Sequence, residues 1–126
     1  MKGFKHGRKV LFQLDRTYHT GTIISRESLG SVSGWLINAD GPRPGPWFAY
    51  DDDITAIPAD APILLPDTDI QITADAPYYA GRTGHVDSPA VRDSVFGYWL
   101  HLTSPKELAW APAQALHVLT PSGGAR

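Results

Sequence analysis

The chain has 126 residues, no cysteine and a formal net charge of −2, with 11 Lys and Arg against 13 Asp and Glu. Lack of cysteine excludes disulfide staples, thiol catalysis and thiolate metal ligands, and fits a reducing compartment. The near-neutral balance argues against a dedicated non-specific DNA binder, and no apolar run suits a secretion signal or a membrane span, so the expected setting is soluble and cytoplasmic with no membrane partner.

Charge is uneven along the chain. Residues 1–57 hold seven Lys and Arg (2, 5, 8, 9, 16, 26 and 43) against six acids, whereas residues 58–126 hold four (82, 92, 106 and 126) against seven. The basic excess lies in an N-terminal arm, where Lys5, Arg8 and Lys9 are candidate phosphate contacts; the ordinary alternative is a solubilising terminus.

From Val10 the chain alternates, with Val10, Phe12 and Leu14 on one face and Leu11, Gln13 and Asp15 on the other, the period of a half-buried strand. Tyr18 to Ile24 reads as a second strand bent at Gly21. The polar stretch 25–33 is expected to be a loop. A third strand places Trp35, Ile37 and Ala39 on one face and Leu36 and Asn38 on the other. Three prolines between Gly41 and Pro46 remove backbone donors, so this segment connects to a fourth strand, Trp47-Phe48-Ala49-Tyr50. Asp51-Asp52-Asp53 invites a hard-cation site, but consecutive carboxylates on extended chain point in alternating directions and form no cage, which leaves a solvated acidic turn before Ile54 and Ile57. Residues 58–68, with Pro58, Pro62 and Pro66, read as a stiff linker.

The same unit then returns. Val10-Leu11-Phe12 and Tyr18 recur 60 residues later at Ile70-Gln71-Ile72 and Tyr78, Gly34-Trp35-Leu36-Ile37 recurs at 63 (97 minus 34) as Gly97-Tyr98-Trp99-Leu100, and Trp47 recurs as Trp110. Ile54 and Ile57 match Leu116 and Leu119 at 62, which aligns the three aspartates with Ala113-Gln114-Ala115, the best site for a short helical turn. In the second unit Tyr78 to Val86, with Gly81 and Gly84, is the bent strand; the Ser-rich stretch 87–96 is a loop; Thr103 to Glu107 matches the proline-rich connection; and Pro121 to Arg126 is a disordered tail. Landmarks recurring in one order point to a duplicated all-β unit. Each copy, of about 60 residues, is near the lower limit for an independent core.

Five short strands per unit with a glycine at the bend of the second describe a small bent barrel. The order of strand types resembles the Src-homology-3-like barrels, the group that includes Tudor and KOW modules, over residues 8–57 and 69–120. Pro77-Tyr78 followed by Gly81-Arg82-Thr83-Gly84-His85-Val86 is also similar to the small barrel of nitrile hydratase β subunits. The first resemblance implies tandem barrels at 1–57 and 69–120 that bind ligands through aromatic side chains at one end of the sheet. The second implies no catalysis, because that enzyme's metal ligands lie on its other subunit.

Trp35, Trp47, Tyr98 and Trp110 recur at matched positions and are expected to fill the two cores. Trp99 falls on the face opposite Tyr98, Leu100 and Leu102, beside His101, so it either packs against the first unit or contacts a partner. Tyr79, near Arg82 and His85, is the next exposed candidate. Trp99, His101, Tyr79, Arg82 and His85 therefore form the expected partner-binding set. The five histidines show no metal-ligand spacing, and no nucleophile elbow or phosphate loop is present. No catalytic residue, metal or cofactor is expected. The sequence points to a non-enzymatic module that engages a protein or peptide. Its alternatives are a KOW- or Tudor-like DNA- or RNA-binding factor and an accessory subunit of an enzyme or of a phage or plasmid assembly. Few lysines beside many Ala, Gly, Pro, Asp and Arg suggest a GC-rich bacterial or phage gene.

Overall fold

The computed structural model describes residues 3–119 except 15 and 42. The protein is all-β and divides into two compact units, residues 1–60 and 61–126, each built on one five-stranded antiparallel sheet. The division falls inside the proline-rich segment. Pro62 and Leu64 are fastened to the second unit by the buried Tyr98 hydroxyl, which donates to the Pro62 carbonyl and accepts from the Leu64 N–H, both at 2.9 Å.

In the first unit β1 (Lys9–Leu14), β2 (Thr17–Leu29), β3 (Val32–Ala39), β4 (Trp47–Tyr50) and β5 (Ile54–Ala56) pair in the order β4-β3-β2-β1-β5. The second unit repeats this with β6 (Asp69–Ile72), β7 (Thr83–Arg92), β8 (Val95–Leu102), β9 (Glu107–Pro112) and β10 (Leu116–Val118), in the order β10-β6-β7-β8-β9. A one-turn 3-10 helix precedes the last strand of each, at Asp51–Asp53 and Ala113–Ala115. The ladder of the second strand is interrupted at matching places, between Ile23 and Ser25 and between Val86 and Ser88. These bulges bend each sheet, and one face of each carries the core.

That core holds the residues the alternation assigns to it. Val10, Phe12, Ile23, Trp35, Ile37, Ala49 and Ile54 cluster in the first unit, and Phe4 meets Trp35 edge-on at 5.3 Å. In the second unit Ile70, Ile72, Val86, Tyr98, Leu100 and Leu102 are all at most 1% exposed. Each such side chain contributes about 1.5–3 kcal/mol of transfer free energy, which offsets the backbone entropy of ordering short strands. Leu11, expected on the outer face, is also buried. The Trp35 indole donates to an Asp51 carboxylate oxygen, so the first of the three aspartates caps a core tryptophan.

Ladder registers correct several expectations. Phe48 faces Leu36 across β3–β4, and Trp110 faces Trp99 across β8–β9, so Trp110 corresponds to Phe48 and Trp47 corresponds to Ala109. The glycines agree: a Cβ on Gly34 would strike the Phe48 ring, and one on Gly97 the Trp110 ring. Counting strand offsets misses this because the chain from Trp99 to Trp110 is one residue shorter than the chain from Leu36 to Phe48. Tyr18 and Tyr78 are not equivalent either. Tyr18 stands on β2 opposite Gln13, whereas Tyr78 lies in the β6–β7 connection, and Gly84 rather than Gly81 matches Gly21.

The serine-rich stretches 25–33 and 87–96 are not loops; they extend β2–β3 and β7–β8 as hairpins. The second turns on Asp93 and Ser94, both with positive φ (51° and 66°), as a two-residue hairpin turn requires. The outer residues of these hairpins are largely exposed on both faces, so no apolar alternation marks them as strands. Among the described residues no helix is long and apolar enough to cross a membrane. The expected tail at 121–126 lies outside the described residues.

Candidate functional site

The outward face of the second sheet carries an open groove of about 490 Å³. Its floor is the β8–β9 ladder, where Trp99 and Trp110 stand directly opposite each other. Gly97 makes room for the Trp110 indole to lie across β8, since a Cβ there would sit 2.6 Å from the ring. The Trp110 N–H donates to the Ala90 carbonyl at 3.2 Å, which fixes the ring against β7. Trp99 is half-buried, and its own indole N–H has no partner among the described residues.

One wall comes from the end of β7. The Arg92 guanidinium lies 5.3 Å from the Trp99 ring and 5.9 Å from the Trp110 ring, within cation–π range of both. Arg92 forms no ion pair or hydrogen bond among the described residues, although Asp93 follows it at the turn. The opposite wall is the β6–β7 connection, which brings Ala76, Pro77, Tyr78 and Tyr79 to the groove. Tyr78 is 75% exposed, far more than an aromatic side chain with an internal packing role.

This connection is held open by its backbone. The β6–β7 ladder ends near Ile72, whose N–H bonds the Arg82 carbonyl while its own carbonyl accepts from Gly81, both at 2.8 Å. Between them Tyr79 adopts φ 60° and its carbonyl accepts from the Arg82 N–H at 3.0 Å. A bulky residue in the left-handed region costs of order 1–3 kcal/mol, and such strain persists where the surroundings impose it, most often at binding sites.

The five residues expected to bind a partner separate into three roles. Trp99 and Tyr79 meet in the groove. His85 and His101 lie farther along the same outward face, with ring centroids 5.2 Å apart and the His101 Nε2 at 2.8 Å from Asp87. Leu108 lines both this shallow depression and the groove. Arg82 does not join them. Its guanidinium donates to Glu107 at 2.9 Å and to the Pro105 carbonyl at 2.7 Å, clamping the β8–β9 turn. Sequence reasoning missed Arg92, Tyr78, Trp110 and Leu108 as groove residues. The adjacent tyrosine pair was the available signal for Tyr78; Arg92 could not be placed while its strand was read as a loop.

The expected phosphate contacts are drawn into the first unit. Arg8 donates to the Ile57 carbonyl at 2.9 Å, and Lys9 pairs with Asp40 at 2.9 Å, where Thr20 also donates to the same carboxylate. Gly7 and Arg8 bond the Ile23 backbone, so residues 7 and 8 follow β2 rather than extend as an arm. Lys5 is exposed. Among the described residues no three His, Asp or Glu side chains converge to hold a metal ion.

The first unit differs at the positions that build the groove. At the positions of Trp99, Trp110 and Arg92 it carries Leu36, Phe48 and Leu29, and its β1–β2 ladder continues to Leu14 and Thr17 instead of opening into a tyrosine-bearing connection. The chain matches no protein-family model and no curated protein.

Proposed function

We propose that the protein is a non-enzymatic binding module made of two Src-homology-3-like barrels, and that the second takes a peptide or an extended protein segment in the Trp99–Trp110 groove. The observation that carries this reading is the difference between the repeats. Two units that share strand order, bulge and closing strand differ where the second carries two opposed tryptophans, two exposed tyrosines and an arginine. Aromatic side chains of this kind offer rigid contact area at low entropic cost, and they dominate the energetics of peptide grooves. The matched strand order and the bent second strand support the barrel reading.

The test is an amide-shift titration of the isotope-labelled full chain with peptides selected from a random displayed library, run beside single- and double-stranded oligonucleotides at low and physiological salt. Peptide shifts at residues 76–79, 92–93 and 108–112 that vanish in Trp99→Ala support the reading. Salt-sensitive oligonucleotide shifts at the same residues, with none from peptides, replace it with a nucleic-acid function.

A further inference from the structure

We infer that the ligand of this groove presents an acidic side chain to Arg92, beside proline or aromatic residues that rest on Trp99, Tyr78 and Tyr79; this inference rests on the binding reading above. Arg92 is the one cationic residue that lines the groove, and it pairs with no carboxylate among the described residues. Asp93 is its neighbour in sequence but is not within ion-pair distance. The guanidinium instead lies over the two indoles. A cation–π contact of this kind takes up none of the N–H donors, so the forked donors remain for a planar acceptor. A carboxylate fits that fork in two parallel hydrogen bonds, a geometry that lysine cannot reproduce.

The surroundings favour a peptide acid over a phosphate backbone. A strand of nucleic acid needs cations spaced along its track, whereas Arg92 stands alone and is followed by Asp93. The remaining donors suit a peptide as well: the Trp99 indole N–H is unpaired among the described residues, and the exposed Tyr78 can reach ligand carbonyls. An exposed arginine already held over two rings loses little rotamer entropy on binding.

The experiment selects random phage-displayed peptides on the full-length protein and then compares the enriched peptides for binding to wild type and to Trp99→Ala. Enriched sequences should share one Asp or Glu at a fixed distance from proline or aromatic residues. A fluorescent synthetic copy of the best sequence should bind roughly tenfold more weakly to Arg92→Gln, and the Asn or Gln version of the peptide should lose a similar factor. Combining the two changes should cost little more than either alone, because both remove the same pair. Arg92→Lys should recover only part of the loss. Arg92 is exposed at the end of a hairpin, so these variants should keep the wild-type amide spectrum. Trp99-dependent peptides with no acidic position, or losses that simply add, overturn the inference and leave the groove reading standing. Peptides indifferent to Trp99→Ala overturn both. Binding of oligothymidylate that requires Arg92 and Trp99 overturns the peptide ligand in favour of nucleic acid.

Discussion

Trp99 and Trp110 face each other across the β8–β9 ladder, yet of the two only the Trp110 indole N–H is hydrogen-bonded among the described residues, to the Ala90 carbonyl, with the ring seated over Gly97. The two should therefore respond differently to truncation. Trp99→Ala is expected to remove groove binding while changing stability by no more than about 1 kcal/mol, whereas Trp110→Ala should cost about 1–3 kcal/mol. Urea denaturation followed by circular dichroism, beside a peptide titration, separates the two effects.

Gly97 supplies a test of how the groove floor is built. A Cβ at this position meets the Trp110 ring and the Ala111 carbonyl, and the backbone oxygen cannot step aside without breaking the ladder. Gly97→Ala should destabilise the second unit by about 1–3 kcal/mol and displace the Trp110 indole resonance. Wild-type stability with an unmoved indole would contradict this packing.

The Tyr98 hydroxyl joins residues 62–64 to the second sheet, and Tyr98 is fully buried. Tyr98→Phe keeps the ring but leaves the buried Leu64 N–H and the Pro62 carbonyl short of a partner. A cost of about 1–3 kcal/mol follows, with faster amide exchange at Leu64 as its local sign.

Arg82 belongs to the framework, through contacts with Glu107 and with the carbonyls of Thr103 and Pro105. Arg82→Ala should lower stability by about 1–2 kcal/mol and shift amides near 103–107. Peptide affinity of the folded fraction should stay within about twofold of wild type, because no groove-lining atom belongs to this residue. A tenfold affinity loss with unchanged stability would assign it to the binding surface instead.

In the first unit, Asp51 accepts the Trp35 indole N–H while Asp52 and Asp53 are exposed. Asp51→Ala should cost about 1–2 kcal/mol, and the same change at Asp52 or Asp53 less than about 0.5 kcal/mol. Thermal denaturation of the three single variants checks the ranking; equal effects would mean that the turn is uniformly solvated.

The sequence by itself determined the all-β class, the duplication and most of both cores. A strand with one buried face must alternate, and Val10, Phe12, Ile70, Ile72, Tyr98, Leu100 and Leu102 do so. It also placed Trp99 on the outward face and the short turn before β10. The tertiary structure decided what alternation cannot encode. The outer parts of the β2–β3 and β7–β8 hairpins are solvated, so nothing in their polarity distinguishes strand from loop. The equivalence of Trp110 with Phe48 is a matter of ladder register, which depends on the lengths of the connections as well as on residue type. The groove arises only when the β6–β7 connection, the end of β7 and the β8–β9 ladder meet. Tyr79, Arg92 and Trp110 are separated in sequence by stretches with no shared pattern, and the bend of the sheet brings them together.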